Sequence, residues 1–460
     1  MRRAIGSLVV VLLAARTAGA AFDTGAKVGA ARNDTSGDHY ACVVVDSTHL
    51  QCYYESSGSM VACTNQYALP TGYSIAGTSG DPGGVYLVPH FSNPIQGSSA
   101  LGVLFIPVYN GNAGADQYEI MSRELVDVGS FPSCVYPLHS EPAPYITGNA
   151  HPYLPPRIAI AGGSGNDVYV LAVVPSGDSY AAGDVLIVQV GDNGLDTSWT
   201  WQYSTGHHGV FDGNYAADPA SPVTGTRSSL TGEALFAVRD NTSFSTSTVS
   251  AIYLAGGSWN YSAPYALDNG GGATPDMATG IAASSVPVQV SGTKRKGDAI
   301  FAIDSNGDLQ ETRFECTNNA GVCQANSFDI MQAVSHGNNG SPYDATSDSL
   351  TASFYNAIVG GTLHSFATAY ARIDSTHADS VHTDVVNNLI TDTFSALIPG
   401  NSGWASGTDY FDGQQIDVTD VAMGSSHDWM LGACHDSGGA DNLCVMKTTW
   451  GTWSFDWYHY

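Results

Sequence analysis

Two adjacent histidines, His207 and His208, stand in a glycine-rich stretch, TGHHGVFDGNYAADPASPVTGT, that also holds Asp212, Tyr215 and Asp218 and ends beside Arg227. A second stretch, HSEPAPYITGNAHPYLPP, holds His139, Tyr145, His151 and Tyr153 and ends beside Arg157. His336 and Tyr343 follow in HGNNGSPYDATS, and Trp404 and Tyr410 in GNSGWASGTDYFDG. One imidazole or phenol can take a proton, a second can protonate a leaving oxygen, and a guanidinium can neutralise a carboxylate. That set fits β-elimination from a uronate sugar, with His207, His208, His151, Tyr215 and Arg227 as catalytic candidates. Arg157, Tyr153, His336, Tyr343, Trp404 and Tyr410 are then the substrate-binding candidates, rings for stacking and polar groups for hydroxyls or the acid. The same residue types, without proton transfer, describe a sugar-binding protein with no chemistry.

Other chemistries fit less well. A lone histidine in a glycine-rich loop is more often solvated or turn-bonded than functional. His207 and His208 with Asp212 have no recognised metal-ligand spacing, and the chain has no C-x-x-C pair. Asp304-Ser305-Asn306-Gly307-Asp308 starts like a calcium loop, but it lacks the downstream Glu, and Asn-Gly between two strands predicts a hairpin turn. The sequence therefore requires no cofactor and leaves a structural calcium or zinc ion open. Hydrolysis of a glycoside needs two placed carboxylates. Asp212, Asp218, Asp344 and Asp409 are available, with Glu141 the sole Glu in these loops, so hydrolysis ranks below elimination.

The elements that must position these loops are strands. Arg157 to Tyr203 reads RIAIAGG, NDVYVLAVVP, DVLIVQV and SWTWQY, each piece β-branched or aromatic and bounded by Gly, Ser, Asn or Asp. That is a four-stranded antiparallel meander joined by turns. Val168 to Val174 is nearly continuous hydrophobe, so that strand is expected to be covered on both faces. The meander recurs with a period of roughly 50–60 residues, the mark of a propeller blade. Blades are expected at residues 26–67, 84–138, 157–203, 225–269, 286–334, 348–397 and 415–460. Ring closure is expected to pair the N-terminal segment with the last blade. The links between blades share one face of the ring, and the long ones carry the candidate residues.

The chain has 460 residues, 43% hydrophobic, with 52 Gly and 12% charged residues, which suits one large all-β domain. Residues 1–20 read as a secretory signal peptide: Arg2 and Arg3, an apolar run, then Ala18-Gly19-Ala20. Residues 21–460 are then the β-propeller domain, a secreted, extracellular monomer with no membrane anchor. The formal net charge of −27 argues against a nucleic-acid partner and weighs against acidic polymers. The expected partner is a polysaccharide or glycan. Eight cysteines in an exported chain predict disulfides. Cys42 with Cys52 and Cys434 with Cys444 close candidate hairpins, Cys316 with Cys323 closes a short loop, and Cys63 is left to pair with Cys134. Asn33, Asn241, Asn260 and Asn339 match the glycosylation acceptor pattern, which matters in a eukaryotic source.

Pro156-Arg157-Ile158-Ala159-Ile160 leading into Asp167-Val168-Tyr169-Val170, and Ile303-Asp304-Ser305-Asn306-Gly307-Asp308-Leu309, resemble the sialidase-like, or BNR-type, propellers. The resemblance is architectural and spreads over most of the mature chain. It implies a single propeller of about seven four-stranded blades. Some polysaccharide lyases are seven-bladed propellers using His, Tyr and Arg, and the chain is similar to them in architecture. The expectation is a secreted carbohydrate-active enzyme, a polysaccharide lyase, with a non-catalytic carbohydrate-binding propeller as the alternative.

Overall fold

The computed structural model describes runs of residues between Gly29 and His459, covering the strands and many of the tight turns between them. Residues 1–28, 136–156, 205–216, 262–274, 385–394 and 398–416 are among those outside the described set. The expected signal peptide therefore lies outside the described residues.

All described regular elements are β-strands. In the sheet that spans residues 157–204, Arg157–Gly162, Val168–Val173, Val185–Val190 and Trp199–Ser204 pair in that order, each antiparallel to the next. Every residue from Val168 to Val173 is buried, as a strand covered on both faces requires. Similar four-stranded meanders span 224–261, 350–397 and 417–459, and five-stranded variants span 29–68 and 73–135. A further four-stranded sheet spans 275–337.

One strand from each sheet touches its counterpart in the next, in succession. Gly29–Arg32 lies against Tyr86–Pro89, then come Arg157–Gly162, Thr224–Arg227, Pro275–Ala283, Leu350–Val359 and Asp417–Thr419, which returns to Gly29–Arg32. Sheets that fan out from such a cycle are the blades of a β-propeller. The core fills the spaces between neighbouring sheets. Between 157–204 and 224–261 it holds Tyr169, Leu171, Val185 and Ile187 facing Phe236, Val238, Ile252 and Leu254. The inner strands come very close there. A Cβ on Gly225 would sit 2.6 Å from the Ile160 carbonyl oxygen and 2.8 Å from the Phe236 ring, well inside contact distance.

Three expectations need correction. The sheet at 275–337 takes Pro275–Ala283 as its first strand, inside the stretch read as a link. PDMATGIAA is rich in Ala, Gly, Pro and Asp, all weak strand formers, so its place beside other inner strands is a matter of packing. Val288–Val290, expected there instead, pairs with Thr293–Arg295 in a separate hairpin. The sheet at 73–135 gains Tyr73–Ile75, ahead of its expected start. The first and last sheets meet through Gly29–Arg32 and Asp417–Thr419, and the residues ahead of Gly29, on which the expected pairing with the last blade depends, lie outside the described set.

The expected Cys42–Cys52 disulfide forms between directly opposed residues of a hairpin. Cys63 is also disulfide-bonded. The side chains of Cys134, Cys316, Cys323, Cys434 and Cys444 lie outside the described set. Backbone register sets Cys434 opposite Asn442 and Cys444 opposite Gly432, a diagonal arrangement. Among the described residues no helix is long and apolar enough to cross a membrane.

Candidate functional site

Each sheet has two ends. At one, the chain arrives from the preceding sheet and the first strand begins. At the other, the first strand turns back into the second, and the third into the fourth. The long links belong to the first end.

His151, Tyr153, His207, His208, Tyr215, Trp404 and Tyr410 lie outside the described residues. The link that carries His207 and His208 becomes described at Ala217, which is anchored. Ala217 N donates to the Gly183 carbonyl at 3.1 Å, and Asp218 N donates to the Arg239 carbonyl at 2.7 Å. The Asp218 carboxylate lies 3.5 Å from Arg239 Nη1, so this carboxylate, available to chemistry on sequence grounds, is engaged. Ala217 and Val223 are buried in the core between the two sheets. Arg157 stands half-buried at the start of its strand, at the link end, as expected.

Arg227 is placed differently. It is the last residue of Thr224–Arg227 and pairs with Ala234, whereas Thr224 pairs with Ala237. Three strand residues are about 10 Å of rise, so Arg227 sits toward the turn end, away from the link. Its Nε donates to the Gly232 carbonyl across the tight turn. The expected grouping of Arg227 with the His207 link is therefore not supported by the strand geometry.

His336 and Tyr343 are both buried. The loop expected to open at His336 starts later, because Phe328–Gly337 is strand. A register shift pairs Leu309 with Gly337 and Gln310 with Ser335 and leaves His336 as the bulged residue. Its Nε2 lies 2.8 Å from Glu311 Oε2, and Arg313 Nε donates to Glu311 Oε1 at 2.6 Å. Burial works against the Glu311 charge, but Arg313 and His336 outweigh it and hold its pKa below the usual carboxylate value. This is an interior ion cluster out of reach of a polymer. Tyr343 contributes its backbone, donating N–H to the Gly307 carbonyl at 2.9 Å.

Residues 304–308 form the expected turn. Asp304 Oδ1 accepts from Asn306 N at 2.8 Å and Asp308 N at 3.0 Å, while Oδ2 accepts from Gln310 Nε2 at 2.9 Å. Gly307 has φ 77°, which suits Gly. The carboxylate is thus occupied by the turn itself. Among the described residues no group of three or more His, Cys, Asp or Glu is arranged to hold a metal.

A different group stands at the turn end, between the sheets spanning 157–204 and 224–261. Tyr169 and Trp259 meet edge to face, with ring centroids 5.4 Å apart, and Phe236 lies behind Trp259 at 6.1 Å. Trp259 keeps part of its surface exposed, as do Asp167 and Glu233. Burial, then the charges of Asp167 and Glu233, push the Tyr169 phenol up to about 12. Two carboxylates, one from each sheet, therefore act on the hydroxyl at the edge of an aromatic cluster. Gly163 makes room, since a Cβ there would meet the Tyr169 ring at 2.5 Å. Aromatic surface beside carboxylate acceptors is suited to a sugar's apolar face and hydroxyls. Sequence reading placed Tyr169 and Trp259 in strands but missed their meeting. The available signal was Trp259 just after the Gly256-Gly257 turn, which puts the indole at a strand's exposed end.

No protein-family model matches the chain, and no curated protein matches it. Several solved structures are similar at low identity. A fucose-specific lectin from Aleuria aurantia shares 12% identity with a TM-score of 0.41, covering 96% of this chain and 96% of that one. AofleA from Arthrobotrys oligospora shares 9% identity with a TM-score of 0.41, covering 78% and 82%. The Hadza microbial sialidase Hz136 shares 11% identity with a TM-score of 0.44, covering 89% and 74%. TM-scores below 0.5 leave the account of the fold to this chain's own strand pairings.

Proposed function

We propose that the protein is a secreted, monomeric carbohydrate-binding β-propeller of seven blades, without catalytic activity. The observation that carries this reading is the Tyr169–Trp259 ring pair, edged by Asp167 and Glu233 where two blades meet. The part-exposed Trp259 indole, backed by the buried Tyr169 and Phe236 rings, offers a surface for the C–H face of a sugar, and the carboxylates accept hydrogen bonds from its hydroxyls. Neutral glycans fit this site better than uronates, since both flanking groups are acidic and the chain's formal net charge is −27. The lyase reading loses support where its residues are described: Arg227 stands toward the wrong end of its strand, and His336 is buried on Glu311.

The test is a glycan array with the mature protein, followed by titration of Trp fluorescence with the best neutral glycan. Binding that is lost in Trp259→Ala and retained in His207→Ala supports the proposal. Ultraviolet absorbance from unsaturated product on a uronate panel, abolished in His207→Ala, would restore the lyase reading instead.

A further inference from the structure

We propose that Asn260 is an N-glycosylation site, and that its glycan shields the outer edge of the blade spanning 224–261. Asn260-Tyr261-Ser262 is an acceptor tripeptide. The strand Ser258–Tyr261 ends its sheet: it pairs with Thr248–Ala255 on one side and with no other strand among the described residues. Asn260 retains exposed surface, and its Nδ2 donates to the nearby Ser258 carbonyl at 2.7 Å.

Register decides which way a glycan would leave. Trp259 pairs with Leu254 and Asn260 with Tyr253. Trp259 packs with Leu254 on the Tyr169 side, and alternate residues of a strand face opposite ways. Asn260 therefore belongs to the face away from the aromatic cluster, and a glycan there leaves that cluster open. An unpaired strand edge is a template for association with another chain, and bulky hydrophilic cover on it opposes this.

In the reaction, Asn260 Nδ2 bonds to C1 of the first sugar of a lipid-pyrophosphate-linked oligosaccharide. The C1–O bond to the pyrophosphate breaks, the carrier leaves, and Nδ2 gives up one proton. The remaining N–H can still serve the Ser258 carbonyl. The inference rests on export through a glycosylating pathway and is independent of what the protein binds.

The experiment is glycopeptide mass spectrometry on the protein secreted from eukaryotic cells. The expected result is a glycan on the peptide containing Asn260, with enzymatic release by peptide-N-glycosidase leaving aspartate at that position. Ser262→Ala should abolish it and Ser262→Thr should keep it. An unmodified Asn260 peptide in the wild-type secreted protein overturns the proposal, whether or not Asn33, Asn241 and Asn339 carry glycans.

Discussion

Ser228 donates its hydroxyl to Asp298 across the boundary between the sheets spanning 224–261 and 275–337. The same hydroxyl oxygen accepts from Leu230 N and Thr231 N, both at 3.1 Å. Ser229 adds its N–H and its hydroxyl to the other Asp298 oxygen, each at 2.8 Å. One buried carboxylate thus fastens the turn of one blade to the second strand of the next. Burial pushes the Asp298 pKa up to about 6, against the bonds from Ser228, Ser229 and Leu230 that favour the charge.

Asp298→Ala should lower the urea midpoint, because several buried donors lose their acceptor. At 1–3 kcal/mol per unsatisfied group, partly offset by relaxation, the loss is on the order of 3 kcal/mol. The pH dependence has a definite sign. The folded pKa is raised, so the proton is held more tightly in the folded state. Stability from this source is full below the unfolded value near 4 and is lost as pH rises through about 6. The stability gap between wild type and Asp298→Asn should therefore shrink between about pH 4 and pH 7, by roughly 3 kcal/mol. A gap that is flat with pH would show that Asp298 keeps its ordinary pKa in the fold.

Glu311 should behave oppositely. Its folded pKa is depressed, so its contribution is present above the unfolded carboxylate value and is lost as pH falls through the acid range. Glu311→Gln should cost about 3–5 kcal/mol at neutral pH, since it leaves the Arg313 charge buried beside a neutral amide. Denaturation curves across pH should show the variant with a shallower decline in acid than wild type. His336→Gln, which keeps the Arg313–Glu311 pair, should cost less.

Two glycines separate steric from conformational cost. Gly225→Ala drives a methyl into the Ile160 carbonyl and the Phe236 ring, at about 2–3 kcal/mol or more. Gly256 has φ 59° and open space around a Cβ, so Gly256→Ala should cost about 1–2 kcal/mol, the left-handed penalty alone. Equal losses in thermal unfolding would mean that the inner strands can part to accept the methyl.

Trp259→Phe tests how much of the indole face the proposed sugar site needs, since the indole N–H is itself buried in the fold. Phenylalanine keeps a smaller aromatic face. If stacking dominates, affinity should fall about threefold to tenfold, whereas Trp259→Ala should remove detectable binding. Calorimetric titration with the array-selected glycan checks both.

Much of the fold was legible because strands and turns are written locally. The run Val168 to Val173, the Asn306-Gly307 turn and the cysteines flanking the first hairpin each carry their structure in adjacent residues. Pro275–Ala283 was missed because its residues have poor strand propensity and owe their place to the neighbouring inner strands. His336 was misplaced for a similar reason: a bulge, set by pairing with Leu309 and Gln310, turned a residue that looked like loop into interior.

The sequence by itself determined an all-β chain of repeated antiparallel meanders, since alternation, glycine turns and hairpin spacing act over a few residues. Tertiary structure alone decided which sheet faces meet. Ser228 reaches Asp298 across 70 positions, and Tyr169 meets Trp259 from another sheet. Such contacts depend on how the blades stack, and nothing in the local residue pattern reports the partner across the gap.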